Sequence, residues 1–299
     1  MAVADPSPSL EILVREPVGF ALWTGPPFTN AQPNVKIDRV LCTSAKYSED
    51  GSTLMAIKSD SVISIFDCKS SKERRNFEAL NILAAILSPC GTYLQTFQKP
   101  LSPQEKNVTL WKTVTGDAVY HLFQKNMTTA TWPSVRFSFD EVVACRMATN
   151  EIQFFDTGDF SKGIIHRLRV PGVAAVELSK TPGSYVAAFV PESKTFQKPL
   201  SPQEKNVTLW KTVTGDAVYH LFQKNMTTAT WPSVRFSFDE VVACRMATNE
   251  IQFFDTGDFS KGIIHRLRVP GVAAVELSKT PGSYVAAFVP ESKVCSPQL

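Results

Sequence analysis

An all-β chain of short strands gathered into about six four-stranded units is what this 299-residue sequence predicts, and three observations predict it. Strand-turn-strand segments recur: Ala45-Lys-Tyr-Ser-Glu-Asp-Gly51 running into Ser-Thr-Leu-Met-Ala-Ile57 has the form of Ala85-Ile-Leu-Ser-Pro-Cys-Gly91 running into Thr-Tyr-Leu-Gln-Thr-Phe97. Large aromatics, Phe66, Trp111 and Phe155, follow those segments at spacings of 45 and 44 residues. Helical periodicity is almost absent. Four short strands in each ~45 residues is the pattern of a WD-type β-propeller blade.

Each element has a local reason. The Ser of the turn offers a hydroxyl to the backbone, and the Gly accepts a positive φ. Val135-Arg-Phe-Ser-Phe-Asp-Glu141 with Val142 to Arg146, and Val176-Glu-Leu-Ser-Lys-Thr-Pro-Gly183 with Tyr185 to Val190, repeat the hairpin. Third strands follow at Val62–Asp67, Val108–Lys112 and Ile152–Asp156, then polar turns such as Thr115-Gly-Asp117, then fourth strands such as Ala118 to Phe123. Blades run over roughly 40–79, 83–123, 130–169, 173–222 and 229–268, with a half blade at 272–290. The segments Leu10 to Arg15 and Gly19 to Trp23 are expected to pair beside that half blade and close a six-bladed ring, because open strand edges invite association.

Residues 96–194 recur without substitution as 195–293, leaving 294–299 as a short tail of a chain expected to be propeller throughout. Repeat units ordinarily differ at surface positions, where substitution costs little. The seam falls inside the 173–222 blade, whose first two strands come from one copy and last two from the other. Ser179 to Trp210 spans 31 residues against 23 from Ser88 to Trp111, and eight extra loop residues cost only a fraction of a kcal/mol, so the hybrid is expected to fold.

Each copy holds 11 Lys/Arg against 9 Asp/Glu, so one copy fewer would reduce the net charge from +3 to +1 and weakens any argument from basicity for a nucleic-acid partner. Six cysteines without a CxxC pair suit reduced, buried thiols and an intracellular, cytoplasmic chain. The N-terminus lacks the pattern of a secretory signal, and no stretch approaches the ~20 apolar residues of a membrane helix.

No GxSxG elbow, Walker-type loop, HExxH or dinucleotide fingerprint is present, and no enzyme, cofactor or metal site is expected. His121 and His166, with copies His220 and His265, stand on fourth strands without clustered ligands and read as structural. Asp140-Glu141 fall in a turn and are expected to face solvent. The candidate phosphate contacts are Lys72, Arg74 and Arg75 in the turn Lys69-Ser-Ser-Lys-Glu-Arg-Arg75, and Lys99 and Lys106 flanking a Pro-rich loop. Trp111, Trp132 and Phe155 offer stacking faces, though their strand positions favour the core.

Gly25-Pro-Pro-Phe28, Asn107-Val-Thr-Leu-Trp111, Thr131-Trp-Pro-Ser-Val-Arg136 with Phe139 to Arg146, Glu151-Ile-Gln-Phe-Phe155 and Tyr185 to Lys194 occur in order. Together they resemble the N-terminal propeller of eukaryotic translation initiation factor 2A, most nearly its plant members, over residues 9–194 and again from the start of the copy. The resemblance implies non-enzymatic binding to the small ribosomal subunit, with contacts to initiator tRNA, mRNA and other initiation factors. It also implies a nine-bladed propeller and a charged C-terminal extension, and the sequence departs from both: after Lys194 it returns to Thr195, and it ends at Val294-Cys-Ser-Pro-Gln-Leu299. The b subunit of initiation factor 3 is a related propeller, but no RNA-recognition domain precedes the blades here. A generic WD-type scaffold for protein partners is the alternative of a different class.

Overall fold

The computed structural model describes residues 10–17, 19–25, 33, 35–38, 42–58, 61–100, 102, 105–125, 127–128, 130–191, 205–223, 227, 230–278 and 284–291. Residues 1–125 and 126–299 form two compact units. Among the described residues the strands make seven antiparallel sheets, five of four strands, one of three and one of two, the arrangement of a β-propeller.

In the first unit β1 (Leu10–Glu16), β2 (Gly19–Gly25) and β3 (Val35–Asp38) form one sheet. The next holds β4 (Ser44–Tyr47), β5 (Thr53–Ile57), β6 (Val62–Asp67) and β7 (Glu73–Glu78), and the third β8 (Ile82–Leu87), β9 (Tyr93–Gln98), β10 (Val108–Lys112) and β11 (Ala118–Leu122). The two-residue side-chain period sorts the core. Leu54, Ala56 and Phe66 pack with Phe20 and Ile37 of the first sheet, while Met55, Ile63 and Ile65 pack with Ala85 and Leu94 of the third. Middle strands are therefore buried on both faces and read as continuous apolar runs, whereas the outer strand β7 is exposed except at Phe77.

The second unit repeats the plan. Its sheets are β12 (Arg136–Phe137), β13 (Val143–Ala148), β14 (Glu151–Asp156) and β15 (Ile164–Arg169); then β16 (Ala175–Leu178), β17 (Tyr185–Phe189), β18 (Val207–Lys211) and β19 (Ala217–Leu221). There follow β20 (Arg235–Phe236), β21 (Val242–Ala247), β22 (Glu250–Asp255) and β23 (Ile263–Arg268), and the pair β24 (Ala274–Leu277) and β25 (Val285–Phe288). The sheet β16–β19 is the expected hybrid, two strands from each copy in one ladder.

The turn serine does what its position suggests. Ser48, Ser88, Ser138, Ser179, Ser237 and Ser278 each accept, through Oγ, the amide that opens the next strand or, at Ser278, stands one residue ahead of β25, at 2.8–3.1 Å. Gly51, Gly91 and Gly183 adopt the expected positive φ; Glu141 and Glu240 take that conformation in the glycine's stead. All five four-stranded sheets shift register between third and fourth strands at the spaced aromatic, next to Phe66, Trp111, Phe155, Trp210 and Phe254. A bulge there increases local twist, which ties the aromatic period to the shape of the blade.

Within the first unit β2 pairs with β1 and β3, and within the second β24 pairs with β25 among the described residues. Val-Lys-Ile-Asp at 35–38 is too short a run to announce a strand, yet its Ile37 joins Phe20 in the core. Glu141 does not face solvent: it is 8% exposed, and Glu240 is 7%. Asp140 is half-buried, its Oδ1 accepting from Ser138 Oγ at 2.6 Å and Val142 N at 3.2 Å.

Candidate nucleic-acid interface

The turn from β6 to β7 is built around Asp67. Its carbonyl accepts from Ser71 N at 2.8 Å, and its carboxylate accepts from Ser70 N at 2.7 Å and forms an ion pair with Arg74. The Ser70 amide foremost, helped by the Ser70 hydroxyl and Arg74, holds the Asp67 carboxyl at about 2. Arg75 reaches the next sheet, where Nε donates to Val114 O at 3.2 Å and the guanidinium lies over the turn of Gly116. Two of the four cations in this turn are thus engaged within the chain, and Lys69 and Lys72 stand exposed without a partner among the described residues.

Lys99 and Lys106 are exposed on the loop between β9 and β10, anchored where Lys99 N donates to Asn81 O at 3.0 Å. Antiparallel connections alternate between the two ends of a sheet. Asp50 N bonds Pro89 O at 3.0 Å, so the β4–β5 and β8–β9 turns share one end, and Arg75 joins the β6–β7 and β10–β11 turns at that same end. The β9–β10 loop is therefore at the other. The five cations fall into two groups at opposite ends and form no single patch.

Trp111 is a core residue: Nε1 donates to Thr96 Oγ1 at 2.9 Å and its ring meets Phe77 edge-on at 5.8 Å. Phe155 is 2% exposed and packs on Phe160 at 5.8 Å. His121 and His220 share a hydrogen bond with the facing threonine, Nδ1 to Thr109 Oγ1 at 3.2 Å and to Thr208 Oγ1 at 3.0 Å. His166 and His265 lie 5.7 and 5.9 Å from Phe154 and Phe253. Among the described residues no three His, Cys, Asp or Glu side chains gather as metal ligands would, and no helix is long and apolar enough to cross a membrane. Burial pushes the Cys145 and Cys244 thiols up to about 12.

Sequence reasoning missed a row of charges on first strands. Two residues before the turn serine stand Arg136, Glu177, Arg235 and Glu276, which pair as Arg136–Glu177 at 2.9 Å and Arg235–Glu276 at 3.1 Å. Glu177, Lys180, Arg235 and Glu276, with Val234 and Phe236, line a cleft of about 250 Å³ in the second unit. The signal was available in the shared distance to each serine. It went unread because a lone charge on a short first strand looks like an ordinary solvated position.

No protein-family model matches the chain. Half of the chain is 35% identical, over 154 residues, to eukaryotic translation initiation factor 2A of Schizosaccharomyces pombe, and covers 26% of that protein. The factor of the same name from Dictyostelium discoideum is 26% identical over 156 residues, again 50% of this chain and 25% of the relative. A crystal structure of a eukaryotic initiation factor superposes with a TM-score of 0.59 at 22% identity, covering 91% of this chain and 76% of that one. Hydrazine synthase of Kuenenia stuttgartiensis superposes at 0.52 with 12% identity, over 91% and 86%. At such identities both structures speak for the fold alone. The chain is an all-β propeller similar over half its length to eukaryotic translation initiation factor 2A, and it spans about a quarter of the curated relatives it matches.

Proposed function

We propose that this chain is a non-enzymatic translation initiation factor of the 2A type, cytoplasmic, whose propeller binds the small ribosomal subunit and assists delivery of initiator tRNA, with mRNA and other initiation factors as neighbours. The observation that carries this reading is the 35% identity to the S. pombe factor over 154 residues. Lys72 at one end of the sheets and Lys99 with Lys106 at the other are the proposed phosphate contacts. Phosphate neutralisation by so few cations makes binding weak and strongly salt-dependent.

Sedimentation with purified small subunits at two salt concentrations tests it. The chain is expected to co-sediment at low salt and to be released at high salt, and Lys99→Glu with Lys106→Glu is expected to weaken association more than Lys72→Glu if the β9–β10 end faces RNA. No co-sedimentation at low salt would overturn the proposal. A second reading, a scaffold for protein partners, is favoured by the engagement of Arg74 and Arg75 inside the chain. It predicts partner binding that salt leaves unchanged.

A further inference from the structure

Three of the charges that stand two residues before a turn serine meet at one cleft of the second unit: Glu177 on β16, Arg235 on β20 and Glu276 on β24. The residue opposite Glu177 in the ladder is Ala187, which lines the same cleft and leaves it room. Lys180, just after Ser179, joins the charged lining, while Pro232 and Phe236 supply apolar wall. The Phe236 ring is held in place by stacking on Tyr185, with centroids 5.5 Å apart and planes 9° from parallel.

The carboxylates of this cleft are only half used. Glu177 Oε2 accepts from Arg136 Nη1 at 2.9 Å and Glu276 Oε2 from Arg235 Nη1 at 3.1 Å, while neither Oε1 accepts a hydrogen bond among the described residues. Two carboxylates and two cations share a space of about 250 Å³. That balance disfavours an ion of either sign, because a cation meets Lys180 and Arg235 and an anion meets Glu177 and Glu276. It suits a neutral group whose donors lie beside its acceptors. The space is smaller than the roughly 300–1,000 Å³ of a site that encloses a drug-sized ligand, so it suits a single ring system. Among the common bases, guanine carries two donor groups, N1–H and N2–H2, next to the acceptors O6 and N7. Carboxylates take such donors, and arginine is the commonest partner of O6 and N7. Adenine would set its N1 lone pair against a carboxylate, uracil offers one N–H between two carbonyls, and cytosine offers one amino group.

We propose that this cleft binds a guanine base, with the spare Oε1 atoms of Glu177 and Glu276 accepting from N1–H and N2–H2 and with Arg235 and Lys180 on the side of O6 and N7. A free guanine nucleotide and an unpaired guanosine in RNA present the same base. The inference rests on the cleft alone and does not depend on the proposed role in initiation.

The test uses the full chain without ribosomes. One arm titrates guanosine 5′-monophosphate by calorimetry; the other follows a labelled oligouridine carrying one central guanosine by fluorescence anisotropy. Saturable one-to-one binding is expected, at least about tenfold tighter than for the adenine, cytosine or uracil counterpart, with inosine, which lacks N2–H2, weaker by about tenfold. Glu276→Ala and Glu177→Ala are each expected to weaken binding by at least about fivefold. The Glu276 side chain is 74% exposed, so far-UV circular dichroism of that variant is expected to match the parent, whereas Glu177→Ala also frees Arg136 and is read beside its urea midpoint. Binding in one arm alone identifies the source of the base as nucleotide or RNA. No saturable binding in either arm up to about 1 mM, equal affinity for all the bases, or indifference to Glu276→Ala would each overturn the proposal. Failure to sediment with small subunits would leave it standing.

Discussion

The turn Thr-Val-Thr-Gly-Asp occurs twice with one sequence and two surroundings, which allows the role of Arg75 to be measured. Gly116 has φ +84° and Gly215 φ +73°, so alanine at either is strained by about 1–2 kcal/mol. A Cβ on Gly215 would meet only His166 Nε2, at 3.8 Å. On Gly116 it would lie 2.8 Å from Arg75 Nη1, 3.0 Å from Cδ and 3.2 Å from Cζ, so the guanidinium must leave and its bond to Val114 O is lost. An exposed hydrogen bond of this kind contributes about 0.5–1.5 kcal/mol. Gly116→Ala is therefore expected to cost about 1 kcal/mol more than Gly215→Ala, an excess that disappears in an Arg75→Ala background. The two glycines lie in different compact units. The assay is native-state hydrogen exchange at Lys112 and Lys211, whose amides close the two turns onto Asp117 O and Asp216 O at 2.9 Å each. Equal losses in the two turns, or an excess that survives Arg75→Ala, would refute Arg75 as a brace between sheets and return it to the pool of free phosphate contacts.

Glu240 accepts from Gly183 N at 3.0 Å and Ser184 N at 3.3 Å while 7% exposed, so Glu240→Ala is expected to lower stability by about 1–3 kcal/mol in urea unfolding; an unchanged midpoint would deny the cap. Cys145 and Cys244, with thiols pushed up to about 12 by burial, are expected to escape N-ethylmaleimide in the folded protein at pH 8 and to react only after denaturation, read by mass-spectrometric mapping. Asp67 is held at about 2, chiefly by the Ser70 amide, and Lys162 and Lys261 hold Asp156 and Asp255 below the ordinary carboxylate value. A depressed carboxylate stabilises the fold above its unfolded value and loses that contribution as pH falls through the folded one. The urea midpoint is therefore expected to be flat from pH 7 to 5 and to fall between about pH 4 and 2, less steeply in Asp67→Asn.

The blade plan was legible because its cues are local: an alternating hairpin, a serine at a fixed distance, an aromatic every ~45 residues. What stayed hidden depends on neighbours. Arg74 and Arg75 look like a basic turn until Asp67 and Val114 O take them up. Glu141 and Glu240 look like turn acids because no local rule says that the next turn brings amides toward them, as Gly183 and Ser184 are brought to Glu240.

The hybrid sheet shows why copying 99 residues left a foldable chain. Beyond phase, the seam preserves a strand-pairing rule: Val-Thr-Leu-Trp-Lys meets Tyr-x-x-x-Phe on either side of it, so β17 replaces β9 without a register slip. A slip of one residue would turn every side chain to the wrong face. The exchange has a cost. Ala188 stands where Thr96 bonds Trp111, and the Trp210 indole makes no such bond among the described residues. The connection also lengthens from nine residues (99–107) to seventeen (190–206), about 0.6 kcal/mol of closure entropy. Burying one large side chain contributes about 1.5–3 kcal/mol, and the hybrid sheet lays Tyr185 against Phe236 and Phe259, and Phe189 against Trp231, of the segment that follows. Packing of the hybrid sheet on the rings that follow it therefore outweighs the longer loop and the lost hydrogen bond.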